Sequence, residues 1–210
     1  MLPIEIVIDL PLDINNVKGF LDSQEGDALY QHALTAARQG AVLEVGSYCG
    51  KSTVYLGAAC KRAGSVLFAV DHHRGSEEHQ LGEAYHDPAL YDSAFGKMDS
   101  FREFRITLSR ASLEDTVVPI VAPSALAARA WATPLAMVFI DGGHSMQAAL
   151  TDFHSWSPHV MQGGLLAIHD VFPNPNDGGR PPFEIWQLAQ QSGLFSALPL
   201  VKSLGVLKRL

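Results

Sequence analysis

Ala41-Val42-Leu43-Glu44-Val45 runs straight into Gly46-Ser47-Tyr48-Cys49-Gly50-Lys51-Ser52-Thr53, and an alanine-rich segment follows at once. The apolar run predicts a strand over 42–45. Two glycines four apart predict a bend, and the segment 52–63, stopped by Gly64, predicts a helix. A strand-turn-helix of this kind aims unpaired backbone N–H groups at a ligand. Lys51-Ser52 invites a phosphate-loop reading, whose pattern is G-x-x-x-x-G-K-[ST]. Here Val45 stands where the first glycine should be, so the stretch is one residue out of register. The other ligand class such a loop serves is an adenosyl cofactor, with Glu44 and the glycines as the floor of its pocket.

Outward from this stretch, short β-branched runs alternate with alanine-rich ones. That is the pattern of βαβ units around a parallel sheet, an α/β fold. Strands are predicted over 42–45, 66–70, 116–121, 137–140 and 165–168, with two closing runs, 195–201 and 204–210, placed to pair antiparallel. Helices are predicted over 27–39, 52–63, 91–105, 125–131, 145–160 and 183–191. Segments 72–88, rich in histidine, and 173–182, rich in proline, read as loops. No repeat or linker divides the chain, so 1–210 is expected to be a single domain, with residues 1–40 a segment and helix covering the ligand site.

The chain has 210 residues, 47% apolar and 18% charged, enough for one well-buried core. Its net charge of −7 argues against nucleic acid and against an anionic membrane surface. Cys49 and Cys60 are too few for a disulfide scaffold or a structural zinc site. With no signal-peptide pattern and no span-length apolar run, a cytoplasmic location is expected. The apolar segment 4–12 could pack against a neighbour in a homo-oligomer.

Acids recur at strand ends. Asp71, Asp141 and Asp170 each close an apolar run, and Glu44 precedes its turn by one residue. Open α/β sheets bind ligands at those ends. Asp71 lies 27 residues after Glu44, about one crossover later, where a carboxylate can accept both hydroxyls of a ribose. Asp141-Gly142-Gly143-His144 leaves its carboxylate in open surroundings, although Asp-Gly also favours a simple turn. Asp141 and Asp170, with the His169 imidazole, form a candidate divalent-metal site of the Mg²⁺ or Mn²⁺ kind. Neighbouring strand residues point to opposite faces, so His169 and Asp170 need not reach one ion. His72, His73, His79 and His86 fit no compact zinc pattern and read as a loop covering the cofactor. Tyr48 is placed to lie over the cofactor or pack on the loop, and Trp131 and Trp156 read as core.

Glu44-Val45-Gly46-Ser47 with Gly50-Lys51-Ser52-Thr53, then Ile140-Asp141-Gly142-Gly143-His144-Ser145, then Gly163-Gly164 leading to His169-Asp170, together resemble the class I S-adenosylmethionine-dependent methyltransferases. The resemblance is strongest to the small single-domain branch that includes metal-dependent O-methyltransferases of antibiotic sugars. It implies a Rossmann-like three-layer sandwich with a seven-stranded, mostly parallel sheet whose last strand is antiparallel. It also implies S-adenosylmethionine as cofactor, held by Glu44, Gly46, Ser47, Tyr48, Gly50, Ser52, Thr53, Asp71, His72, Ser124 and Asp141. Glu44 and Gly46 would floor the methionine end, Asp71 would hold the ribose, and Pro123-Ser124 would flank the adenine. In the sugar-modifying subgroup the carboxylate at Asp141 and an acidic pair on the next strand bind Mg²⁺; this chain has His169 where the subgroup has an acid. His144 is the implied general base, since imidazole titrates near neutral pH. The implied reaction is O-methylation of a small hydroxylated acceptor, a sugar or natural-product glycoside. A P-loop-like nucleotide hydrolase and a non-catalytic cofactor-binding module are the competing readings.

Overall fold

The computed structural model of the protein describes residues 8–83 and 86–210. Seven strands make one sheet: β1 (Ala41–Val45), β2 (Leu67–Asp71), β5 (Val117–Val121), β6 (Leu135–Ile140), β7 (Val160–Ile168), β8 (Phe195–Ala197) and β9 (Gly205–Arg209). Two short strands, β3 (Tyr91–Asp92) and β4 (Lys97–Met98), form a separate hairpin. The sheet order is β5-β2-β1-β6-β7-β9-β8. The strands from β5 through β7 pair in parallel, and β9 runs antiparallel to both β7 and β8. The order reverses between β1 and β6, so the crevice beyond their C-terminal ends is the switch point where such sheets bind ligands.

Side-chain alternation sorts the sheet onto two helical layers. Val42, Met137, Phe139 and Ala167 pack on α1 (Ser23–Ala37), α2 (Lys51–Ala63) and α3 (Phe101–Arg110), through Leu29, Tyr30, Val54 and Phe104. Leu43, Val138, Ile140 and Leu166 pack on the other layer, α4 (Ser124–Ala128), α5 (Met146–Trp156) and α6 (Pro181–Gln191), through Phe153, Trp156 and Phe183. The result is the three-layer α/β sandwich expected, with Trp156 at its core and Trp131 partly buried beside it.

Three of the boundaries that differ from the sequence pattern bear on the site or the fold. The helix expected over 91–105 is instead the β3-β4 hairpin followed by α3. Asp92 nucleates the turn: its carbonyl accepts Gly96 N–H at 2.8 Å, its side chain accepts Ala94 N–H at 2.8 Å, and Gly96 adopts φ +64°. Helix α1 begins at Ser23 because Asp22 caps it, accepting Gln24 N–H at 2.8 Å. Strand β7 starts at Val160 and passes through Gly163, at φ +79°, rather than starting after it. Ile8, Leu10 and Leu12 pack on the chain's own core, while residues 4–7 of the segment expected to meet a neighbour lie outside the described residues. Among the described residues no helix is long and apolar enough to cross a membrane.

Candidate active site

The β1-α2 turn is fixed by backbone geometry. Gly46 sits at φ +88°, and a Cβ there would stand 2.1 Å from the Asp141 carbonyl oxygen, so only glycine lets β1 and β6 approach this closely. Gly50, at φ +94°, caps α2. Between them Tyr48 holds a left-handed φ of +46°. The strain of such a residue, about 1–3 kcal/mol, is offset by its N–H donating to Asp71 Oδ2 at 2.8 Å. Its ring packs on His79 at 5.0 Å and stacks on Phe20 at 6.2 Å.

Glu44 shares the parity of Val42 and so faces α2 rather than the crevice. It is fully buried and accepts hydrogen bonds from Ser52 Oγ and Thr53 Oγ1, each at 2.5 Å. Burial pushes its pKa up to about 8, against the pull of those two hydroxyls. Lys51 donates to the Gly19 carbonyl at 3.3 Å, tying the N-terminal segment to the turn. Cys49 and Cys60 are buried thiols, each pushed up to about 12 by burial.

At the ends of β6 and β7 the chain assembles a buried charge network. Asp141 and His169 follow the parity of Phe139 and Ala167, which turns both toward α1. There His169, 6% exposed, meets Asp141 Oδ1 through Nδ1 at 3.1 Å and Glu25 Oε2 through Nε2 at 3.0 Å. A neutral ring donates through one nitrogen only, so two carboxylate partners favour the imidazolium. Burial alone would lower its pKa, but the charge of Asp141 and hydrogen bonds with Asp141, Asp170 and Glu25 outweigh that and raise it. Burial would raise Glu25, yet hydrogen bonds from His169 and Ser203 bring it down to about 2. The Ser203 N–H and hydroxyl donate to its Oε1 at 2.8 and 2.7 Å.

Asp170 escapes the strand parity by adopting φ +57°, which turns its carboxylate to His144, with Oδ2 3.2 Å from His144 Nε2. Burial would raise the Asp170 carboxyl, but the hydrogen bond and charge of His169, with the charge of His144, hold it low. Ligand atoms of Asp141, His144 and Asp170 lie within 4.8 Å of one another, while both nitrogens of His169, the imidazole expected beside the two aspartates, meet carboxylates.

Two cavities flank this cluster. The first, about 410 Å³, is lined by Gly46, Tyr48, Asp71, His72, Ser124, Asp141 and His144 among others. The second, about 540 Å³, takes in Ser47, Ser52, Phe20, His169, Asp170 and Phe172. Gly46, Tyr48, Asp141, Gly142 and His144 belong to both walls. Of the residues expected to hold the cofactor, Glu44, Gly50 and Thr53 line neither; they shape the turn from behind. Asp71 combines two tasks, lining the first cavity while accepting Tyr48 N–H and, at 2.7 Å, His73 N–H. Ser47 Oγ is buried against the second cavity and has no hydrogen-bond partner among the described residues. The loop histidines disperse: His72 lines the first cavity, His73 is buried against Ser100, and His86 reaches the His79 carbonyl.

Glu25 and Asp152 were not singled out from the sequence pattern, although each carried a signal. Glu25 stands four residues before Leu29, and Asp152 three after Ala149 and four before Trp156. Both are acids on an otherwise apolar helix stripe. Asp152 is 6% exposed and lines the first cavity, and burial raises its carboxyl to about 6.

Similarity to known proteins follows the same geometry. The chain superposes on the O-methyltransferase NovP with a TM-score of 0.66 at 16% identity, covering 89% of this chain and 79% of that one. The O-methyltransferase from Bacillus cereus in complex with SAH gives 0.63 at 18% identity, covering 92% and 84%. TomG from Streptomyces achromogenes, an O-methyltransferase in complex with SAM, gives 0.60 at 14%, covering 91% and 81%. At these identities the likeness speaks for the fold. A family model described as a methyltransferase domain matches residues 43–171, from within β1 to just past β7, so Asp71, Asp141, His144 and Asp170 fall inside it and Glu25 outside. The chain belongs to this methyltransferase-domain family and is a methyltransferase.

Proposed function

We propose that the protein transfers the methyl group of S-adenosylmethionine to a hydroxyl of a small molecule. One observation carries the reading: His144 and Asp141 stand on the wall shared by two cavities, so a donor reaching from the first toward Ser47 and an acceptor entering by the second meet at a base. The first cavity suits the nucleoside. Asp71 keeps acceptor capacity for ribose hydroxyls beyond the two N–H groups it holds, and the Pro123-Ser124 turn offers a flat wall to the base. Ser47, whose buried hydroxyl lacks a protein partner among the described residues, suits the polar amino-acid end of the cofactor. Two of the solved relatives were captured with SAH or SAM, which supports the same assignment.

In the mechanism His144 removes the acceptor proton. Its Nε2 lies 3.2 Å from Asp170 Oδ2, an ion-pair distance that keeps the ring beside that carboxylate. S-adenosylmethionine would supply the methyl group, the new O–C bond forming as the S–C bond breaks and S-adenosylhomocysteine leaves, and alignment of oxygen, carbon and sulfur by the two cavities would supply much of the rate. Asp141 is held for this task by His169, which is in turn fixed by Glu25 from α1.

Asp141, His144 and Asp170 would suit Mg²⁺ or Mn²⁺, and an ion held there would take up the His144 imidazole, so it would replace that base rather than act beside it. Bound there, it would lower the pKa of the acceptor hydroxyl. Transfer of labelled methyl from S-adenosylmethionine to a panel of sugars and phenols, before and after EDTA, tests both levels. Transfer to a hydroxyl establishes the reaction. Activity lost to EDTA and restored by Mg²⁺ or Mn²⁺ establishes the ion, and full activity in metal-free buffer removes it from the mechanism.

A further inference from the structure

Asp152 faces the first cavity, and methyl transfer as described gives it no task. It sits on α5 in line with Ala149, Phe153 and Trp156, where an ionisable group is costly unless it has partners. A neighbouring donor is the Ser124 hydroxyl, which pulls the Asp152 carboxyl down against the effect of burial, while the Ser124 oxygen accepts the Trp156 indole N–H at 2.8 Å. A carboxylate has room for several donors, so acceptor capacity stays unused. The backbone also makes way for it: a Cβ on Gly142 would stand 2.4 Å from Asp152 Oδ2. The unused acceptor therefore borders the first cavity beside the Pro123-Ser124 turn, where the base of the donor would sit.

We infer that Asp152 reads the base of the methyl donor: its carboxylate accepts a hydrogen bond from the exocyclic amino group of adenine and repels a purine carrying a 6-oxo group. This rests on the donor being S-adenosylmethionine. Ser124 acts beside Asp152 as a positioning residue, its oxygen anchored by the Trp156 indole.

Calorimetric titration of the full chain with S-adenosylhomocysteine and with its 6-oxo counterpart, S-inosylhomocysteine, tests the inference. The wild-type protein is expected to prefer the amino form by roughly 10–100-fold, the loss that follows when a charged acceptor faces no donor. In Asp152→Asn the side-chain amide can turn its NH₂ toward a 6-oxo group, so the preference narrows or reverses. A purely structural role for Asp152 would weaken both ligands equally in the variant, and that result overturns the inference. Equal wild-type affinity for the two ligands overturns it without any variant, should Asp152→Asn fail to fold. If the wild-type protein binds neither, the methyl-donor reading falls and this inference with it.

Discussion

His144→Ala is expected to cut turnover by roughly 10²–10⁴-fold while leaving the affinity for S-adenosylhomocysteine within a few-fold of wild type. The expectation follows from position. His144 stands on the wall common to both cavities, with its Nε2 3.2 Å from Asp170 Oδ2, where a proton acceptor is needed and a cofactor clamp is not. Steady-state kinetics with the acceptor at saturation, beside a calorimetric titration of the same preparation, separate the two effects. A variant that keeps full turnover takes the base role away from His144.

The second large effect is on stability. Glu25→Ala should destabilise the fold by about 3–5 kcal/mol, the cost of leaving one partner of a buried ion pair alone. It would strand His169 and the two Ser203 donors at once. Glu25→Gln, which keeps an acceptor for Ser203, should lose less. The pH dependence has a definite sign. Glu25 is depressed to about 2 in the folded chain from an ordinary 4.5, so its contribution is present above pH 4.5 and fades as pH falls toward 2. Urea unfolding of wild type and Glu25→Gln at a series of pH values should show the gap between them widest near neutrality and closing in acid. A gap that does not change from pH 7 to pH 3 would show that the charge of Glu25 is not what stabilises α1 against the sheet.

Much of this was legible in the chain because alternation and strand-end acids are local signals. The β1-α2 turn, the antiparallel close and the carboxylates of Asp71, Asp141 and Asp170 needed only periodicity and the rule that α/β sheets bind at strand ends. What escaped depended on tertiary contacts. Glu44 and Asp141 look alike in sequence and face the same helical layer, yet Glu44, inside β1, is enclosed against α2, while Asp141, past the end of β6, lines both cavities. The α1 partner of His169 escaped because the helix was expected to start at 27 and Glu25 fell outside it. Asp170 reaches His144 only through a left-handed φ that no residue pattern announces. The hairpin at residues 91–98 shows the reverse lesson. Asp92 and Gly96 were turn signals in plain view, outweighed by the helical look of the residues that follow.

Titration calorimetry of the wild-type chain with S-adenosylhomocysteine tests the central claim most directly. The account predicts saturable one-to-one binding, weakened when Asp71 is replaced by alanine. An absence of saturable binding at every temperature tried, with the protein shown to be folded, would contradict it.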